Sequence, residues 1–221
     1  MKRSLQIVCL LCSLFLLTGL LQAAEPYRIG AILSVTGAAS FLGEPEKNTV
    51  LMLQEEINAA GGINGHPIEV IIEDSKSEET QAVLAAKKLI ENDRVLAIIG
   101  PSTTGESMAL IPIVTEAKIP LISCAAGAGI TQPVKERYWI FKTPQYDVSA
   151  VKAIYAHMKK KGIKKVGIIT ISTGFGDAGR KALLEIAPQY GIQIVADERY
   201  GPKDSDMTTQ LTKSRPQVQR Q

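Results

Sequence analysis

Short apolar segments alternate with segments of helical periodicity along most of this chain. Residues 29–33 and 96–99 are apolar throughout, whereas a strand with one face in water alternates apolar and polar side chains. The segments between such runs place apolar residues three and four positions apart, as Val50, Leu53 and Ile57 do. This order predicts an α/β fold in which helices cover both faces of a parallel sheet.

Two groups of predicted elements are separated by a polar, proline-containing connection at residues 125–146. The first group has strands at 27–33, 68–73, 96–99 and 120–123, with helices at 45–60, 76–92 and 104–118. The second group has helices at 146–161 and 176–190, strands at 166–171 and 192–196, and a last helix that starts near 206. We interpret the groups as two lobes, at residues 25–144 and 145–213, with a cleft between them.

The N-terminal segment 1–24 has the plan of a secretory signal peptide. A basic start is followed by a largely apolar run at residues 5–21 and by the small side chains of Ala23 and Ala24. Cleavage near these alanines would lower the formal net charge from +3 to +1 and leave Cys124 as the remaining cysteine. An uncleaved anchor helix is the alternative, because about 17 apolar residues approach the length that spans a bilayer. Cleavage predicts a periplasmic location.

Composition and charge argue against several classes of function. The 25 basic and 22 acidic side chains nearly cancel, which gives no strong field for a nucleic-acid partner. Three cysteines and two histidines provide little material for a disulfide framework or a zinc site. The sequence also lacks a recognisable nucleophile with its base, so we expect binding without a cofactor or a metal rather than catalysis.

Residues 174–179 read Gly-Phe-Gly-Asp-Ala-Gly, a GxGxxG pattern between a predicted strand and a predicted helix. Dinucleotide-binding folds use such glycines for the pyrophosphate and an acidic residue about 20 positions on for the ribose. Asp197 follows the last glycine by 18 positions. An NAD-dependent enzyme is therefore an alternative interpretation. Against it, Phe175 would crowd a phosphate and Asp177 would repel one.

Small and hydroxyl-bearing residues follow two of the predicted strands. Ser102, Thr103 and Thr104 lie where a strand passes into a helix, and hydroxyls with backbone N–H groups at a helix N-terminus suit a carboxylate or phosphate. The alternative is that Ser102 or Thr103 only caps the helix. The loop with Ala125 and Gly127 either lets backbone groups approach a ligand closely or is kept small for packing.

Four segments carry a resemblance to a known family. They are the strand 27–33 with the following Ser-Val-Thr-Gly, EINAAGGING at 56–65, Ile-Gly-Pro at 99–101 and Ile-Pro-Leu-Ile-Ser at 119–123. These segments resemble the leucine/isoleucine/valine-binding proteins, periplasmic components of ABC transporters for branched-chain amino acids and related compounds. The resemblance extends to about residue 213. It implies a type I periplasmic binding protein fold, with two Rossmann-like lobes hinged around the ligand.

The resemblance also implies roles for individual residues. The hydroxyls of Ser102, Thr103 and Thr104 would hold the carboxylate of the ligand, with backbone groups of Ala125 and Gly127 beside them. The whole protein would deliver this ligand to a membrane permease of an ABC transporter.

Three departures from the family pattern bear on the ligand. Leu42 and Phe175 fall where aromatic residues border the pocket, but neither can donate a hydrogen bond. Gly127 replaces a hydroxyl residue often found in the family, which weakens the clamp on an α-amino acid. An apolar or aromatic carboxylate is therefore an alternative to a branched-chain amino acid.

Family members continue beyond this chain, so the resemblance implies an incomplete second lobe. The family usually continues the last helix, whereas residues 214–221 begin with Ser-Arg-Pro and lack an apolar period. Codons for Ile-Lys-Ala that are read one base out of frame give this tripeptide, so we interpret the segment as an aberrant, frameshifted tail. A short homologue and a non-binding remnant are the alternatives.

Overall fold

Seven parallel strands in two sheets form the centre of the part of the chain that this computed structural model describes, residues 24–218. The first sheet contains β1 (Tyr27–Leu33), β2 (Ile68–Asp74), β3 (Ile98–Ile99), β4 (Leu121–Ser123) and β5 (Ile140–Lys142). The order of these strands is β2-β1-β3-β4-β5, and all neighbours are parallel. The second sheet pairs β6 (Lys165–Ile171) with β7 (Gln193–Tyr200). The predicted α/β class with parallel sheets is confirmed.

The described residues contain six α-helices, of which the first five connect strands and the last follows β7. They are α1 (Ser40–Ala59), α2 (Glu79–Glu91), α3 (Thr104–Ala117), α4 (Asp147–Lys160), α5 (Gly174–Ile186) and α6 (Thr208–Val218). Between residues 24 and 218, none of the helices is both long and apolar enough to cross a membrane. The predicted signal peptide, apart from Ala24, lies outside the described residues.

The first sheet and its helices enclose the larger apolar core. Ile32, Ile98 and Leu121 of the strands are fully buried, together with Leu89 of α2 and Leu110 of α3. Burial of such a side chain contributes about 1.5–3 kcal/mol relative to its exposure. Residues 29–33 of β1 and both residues of β3 form continuous apolar runs, as expected for strands that helices cover on both faces.

A second, smaller core lies beside β6 and β7. It contains Val151 and Tyr155 of α4, Ile186 of α5 and Ile192. The Tyr155 side chain is fully buried, and its hydroxyl donates a hydrogen bond of 3.0 Å to the carbonyl oxygen of Leu183. This bond gives the buried polar group a partner and joins α4 to α5.

The predicted connection at 125–146 contains a strand that the sequence did not reveal. Ile140–Lys142 pairs with β4 as the last strand of the first sheet. It is only three residues long, and Phe141 is 55% exposed. The apolar and aromatic residues 138–141 overlap this strand, but they lie within the segment interpreted as a polar connection. The connection is therefore part of the first sheet before it leads to α4.

The start of α1 also differs from the prediction. The helix begins at Ser40 rather than 45, and Pro45 lies inside it. Its first turn packs on the end of β1, because a Cβ at Gly43 would lie 2.3 Å from the carbonyl oxygen of Ser34. Only glycine permits this approach. The prediction placed the helix start at Pro45 because proline is common in the first turn, and it therefore left out the turn that contains Gly43.

Other element boundaries also differ. β3 is limited to Ile98–Ile99, although the Leu96 N–H still donates to the carbonyl oxygen of Arg28 over 2.8 Å. β7 continues four residues past the predicted end at 196 to Tyr200. α6 runs through the boundary expected at 214. There Ser214 is buried, and its hydroxyl donates to the carbonyl oxygen of Gln210 over 2.8 Å.

Candidate functional site

Ser102 lies just beyond the carboxyl end of β3, and its hydroxyl has partners within the chain. The Ser102 Oγ accepts a hydrogen bond of 3.0 Å from the backbone N–H of Ser34 and donates to the Glu46 carboxylate. Burial raises the pKa of Glu46; the hydrogen bond from Ser102 opposes this change, and the charge of Glu106 adds to it. The Ser102 hydroxyl therefore joins β1, α1 and α3.

Thr103 is the N-cap of α3. Its hydroxyl accepts a hydrogen bond from the backbone N–H of Glu106 at 3.4 Å and donates to the Glu106 carboxylate at 2.6 Å. The same carboxylate accepts the backbone N–H of Thr103 at 3.1 Å, which completes a capping box. The capping alternative left open by the sequence is thus present at Thr103, and the hydroxyl is engaged.

Thr104 differs from its two neighbours. It is the first residue of α3 and is 4% exposed, and its Oγ1 is buried without a hydrogen-bond partner among the described residues. A buried hydroxyl without a partner costs about 1–3 kcal/mol. Among the three hydroxyls, that of Thr104 is therefore the one without a partner in the described residues.

The loop after β4 packs directly on Thr104. A Cβ at Gly127 would lie 2.4 Å from Thr104 Cγ2 and 3.2 Å from Thr104 Oγ1. Gly127 has φ −54° and ψ 128°, values open to any residue, so the glycine is required for space rather than for conformation. The N–H of Ala125 donates to Ser123 Oγ at 3.1 Å, whereas the N–H of Gly127 has no partner within residues 24–218.

The N-termini of α3 and α5 meet beside this loop. A Cβ at Gly174 would lie 3.0 Å from the backbone nitrogen of Gly105 and 3.6 Å from the carbonyl carbon of Thr104. Helix N-termini carry partial positive charge and unsatisfied N–H groups, which favour an anion. Leu42 and Phe175 lie on the first turns of α1 and α5 and are 39% and 55% exposed.

The GxGxxG segment has a packing role in the second sheet. A Cβ at Gly176 would lie 1.7 Å from the carbonyl oxygen of Ile171, so glycine allows α5 to approach β6. The acidic residue expected to bind a ribose is engaged, because Arg180 donates to both carboxylate oxygens of Asp197. These contacts account for the pattern without a dinucleotide.

Besides Glu106 of the capping box, two charged residues near the site were not found from the sequence. Glu46 contacts Ser102 from a helix whose start was misplaced. Lys142 lies at the end of β5, which was not predicted, and its Nζ donates to the carbonyl oxygen of Ala126. No sequence pattern marks either residue, because each contact joins positions far apart in the chain.

Comparison with known proteins identifies the family. Residues 26–216 match the family model described as periplasmic binding protein. The chain belongs to the periplasmic binding protein family. It is similar to an amino acid binding protein of Pseudomonas aeruginosa, with 30% identity over 191 residues that cover 81% of this chain and 48% of the relative. The Leu/Ile/Val-binding protein BraC3 of Rhizobium johnstonii is 25% identical, over 84% of this chain and 50% of the relative.

Solved structures of periplasmic binding proteins share the fold. The substrate binding protein LivJ of Streptococcus pneumoniae, in complex with isoleucine, gives a TM-score of 0.77 and 32% identity over 86% of this chain and 54% of that chain. A solute binding protein of Rhodopseudomonas palustris, in complex with 3,4-dihydroxy benzoic acid, gives a TM-score of 0.75 and 26% identity. That match covers 85% of this chain and 51% of the solved chain. The resemblance to leucine/isoleucine/valine-binding proteins and the type I fold are confirmed. This periplasmic binding protein spans about half the length of the relatives it matches.

Proposed function

We propose that this chain is an exported solute-binding protein that holds the carboxylate of a small molecule between two lobes, at residues 25–144 and 145–213. The observation that carries the proposal is the buried Thr104 hydroxyl, which has no partner among the described residues. The adjacent N–H of Gly127 and the N-termini of α3 and α5 add donors and positive potential. Ser102 and Thr103 support the site by fixing the start of α3 rather than by touching the ligand.

The ligand proposed is a branched-chain amino acid or an aromatic carboxylate. Both classes offer a carboxylate to Thr104 and an apolar group to Leu42 and Phe175. The structures bound to isoleucine and to 3,4-dihydroxy benzoic acid support these two classes. In the same loop, the carbonyl oxygen of Ala125 would accept a hydrogen bond from an ammonium or a hydroxyl group, because that of Ala126 is bound by Lys142.

Binding would proceed by closure of the cleft. The first lobe, with Thr104, captures the ligand, and α5 with Phe175 then covers it. The closed form docks on the permease of an ABC transporter in the periplasm. Export would depend on the segment 1–24, with cleavage near Ala23 or Ala24. Neither a metal nor a cofactor takes part in these steps.

The direct test is calorimetric titration of the protein purified from the periplasm after expression of the full chain. L-leucine, L-isoleucine and 3,4-dihydroxybenzoate are the probes, and NAD is the comparison ligand. We expect saturable one-to-one binding of a carboxylate probe and none of NAD. Cooperative unfolding without binding of any carboxylate probe would instead support a non-binding remnant, and binding of NAD would support the enzyme. Recovery in the cytoplasmic or membrane fraction would contradict the proposed location.

A further inference from the structure

Lys142 connects the proposed ligand-binding loop to the segment that leads to α4. Its Nζ donates to the carbonyl oxygen of Ala126 and, at 3.2 Å, to that of Gln145. The ammonium also lies 4.1 Å from the centroid of the Tyr146 ring, a cation–π arrangement. The side chain is half-buried, so the aromatic ring and the two carbonyl oxygens replace much of the water around its charge.

The contact with Ala126 determines the direction of a neighbouring donor. The carbonyl of Ala126 and the N–H of Gly127 belong to one trans peptide unit, in which the two groups point in opposite directions. Because Lys142 binds the carbonyl oxygen, the N–H of Gly127 points away from Lys142. That N–H has no partner within residues 24–218, and Gly127 packs on Thr104.

Two donors without partners are thus held side by side. The Thr104 hydroxyl is fixed by the first turn of α3, whereas the direction of the Gly127 N–H depends on a peptide in a loop of small residues. Rotation of that peptide would exchange the N–H for a carbonyl oxygen, which repels a carboxylate. The charge of Lys142 opposes this rotation because it attracts the carbonyl oxygen to the other side.

We infer that Lys142 is a positioning residue, which orients the Ala126–Gly127 peptide so that the Gly127 N–H and the Thr104 hydroxyl bind the same carboxylate. The inference rests on the proposed function, because it requires a carboxylate ligand. Lys142 itself does not touch the ligand. Through Gln145, the same ammonium also fixes the chain that leads from the loop to α4, so the orientation of the donor is linked to the crossover between the lobes.

The test compares three variants of the full exported chain. Lys142→Met removes the charge and keeps a chain of similar length, Lys142→Arg keeps the charge, and Lys135→Met is the control at an exposed lysine on the same connection. The first measurement is the ¹H–¹⁵N resonance of Gly127 without ligand. The second is the Kd of L-isoleucine and of 3,4-dihydroxybenzoate. Lys142→Gln, which keeps an uncharged donor, replaces Lys142→Met if that variant does not fold.

We expect the Lys142→Met substitution to shift the Gly127 resonance and to weaken binding of the carboxylate about 10-fold, the loss expected for one directed hydrogen bond. Lys142→Arg should restore most of the affinity, and Lys135→Met should change neither quantity. An unchanged Gly127 resonance, or an unchanged Kd in Lys142→Met, would overturn this inference and leave the proposed function standing. A folded wild-type protein that binds neither probe would overturn the proposed function and the inference with it.

Discussion

The side chain of Thr104 packs against the backbone of Gly127 so closely that a side chain on residue 127 would not fit between them. A Cβ at position 127 would lie 2.4 Å from Thr104 Cγ2, well inside van der Waals contact. The contact joins the start of α3 to the loop after β4. It therefore brings together two segments that were each predicted, from separate sequence patterns, to contribute to a ligand site.

Substitution of Gly127 by alanine should destabilise the protein by overpacking. We expect Gly127→Ala to lower the free energy of unfolding by about 1–3 kcal/mol, the usual cost of inserting a methyl group into a packed region. Urea denaturation measures this change. The matched control is Gly179→Ala on α5, where a Cβ meets nothing within 4 Å and alanine should stabilise the helix by about 0.5–1 kcal/mol.

A double mutant separates overpacking from other effects at Gly127. Removal of the Thr104 side chain beyond Cβ in Thr104→Ala opens space for the added methyl group. The Thr104→Ala/Gly127→Ala protein should therefore be more stable than the sum of the two single changes indicates. Simple additivity would mean that the two residues do not interact, contrary to the contact described.

Substitution of Thr104 by valine should affect binding more than stability. Valine has nearly the shape of threonine, and the lost hydroxyl has no partner in the ligand-free protein. We expect Thr104→Val to weaken carboxylate binding about 10-fold or more, because one buried hydrogen bond to a charged group is lost. Calorimetric titration gives the Kd, and thermal unfolding gives the stability.

The control for this prediction is Thr115→Val, the same substitution at an exposed position of the same helix. It should leave the Kd unchanged. Thr104→Ser, which keeps the hydroxyl, should retain most of the affinity. Equal Kd values for the wild type and Thr104→Val, with both proteins folded, would remove Thr104 from the site.

The sequence predicted the main elements of the fold because their apolar periods reflect burial. β1, α3 and β6 are found within a few residues of their expected bounds. β5 was not predicted, although it overlaps the apolar and aromatic run at residues 138–141, because a three-residue strand with one buried side chain has no detectable period. Its position depends on pairing with β4, a contact between distant residues.

The sequence placed the three hydroxyls at 102–104 in one candidate site but did not distinguish the roles of the individual residues. The spacing of Thr103 and Glu106 is that of a capping box, so the engagement of the Thr103 hydroxyl could have been found from sequence. The engagement of Ser102 could not, because its partners Ser34 and Glu46 lie 68 and 56 positions away. Only the folded chain distinguishes Thr104 from the two hydroxyls before it.

Substitution of Asp197, the partner of Arg180, distinguishes a packing role of the GxGxxG segment from dinucleotide binding. Asp197→Asn should lower the urea midpoint slightly, because the pair is partly exposed and contributes little. The Kd of L-isoleucine should not change. If Asp197 bound a ribose, the wild type would bind NAD and the variant would not. Fluorescence titration of both proteins with NAD decides between the two roles.

The half-buried carboxyl of Glu46 predicts how stability depends on pH. Burial raises the pKa of Glu46 in the folded state, so the folded protein holds this proton to a higher pH than the unfolded chain does. Between the ordinary pKa of a glutamate and the raised value, an increase in pH therefore favours unfolding. Above that interval the contribution of Glu46 is constant and unfavourable.

Replacement of Glu46 by glutamine should remove this part of the pH dependence. Glutamine keeps an oxygen that can accept the hydrogen bond from Ser102 and carries no charge at any pH. We expect Glu46→Gln to gain stability relative to the wild type as the pH rises from weakly acidic to neutral, measured by urea denaturation at several pH values. Glu44→Gln, at an exposed position on the same helix, is the control and should follow the wild type. A difference between Glu46→Gln and the wild type that does not grow with pH would contradict the assignment of Glu46 as a half-buried carboxyl with a raised pKa.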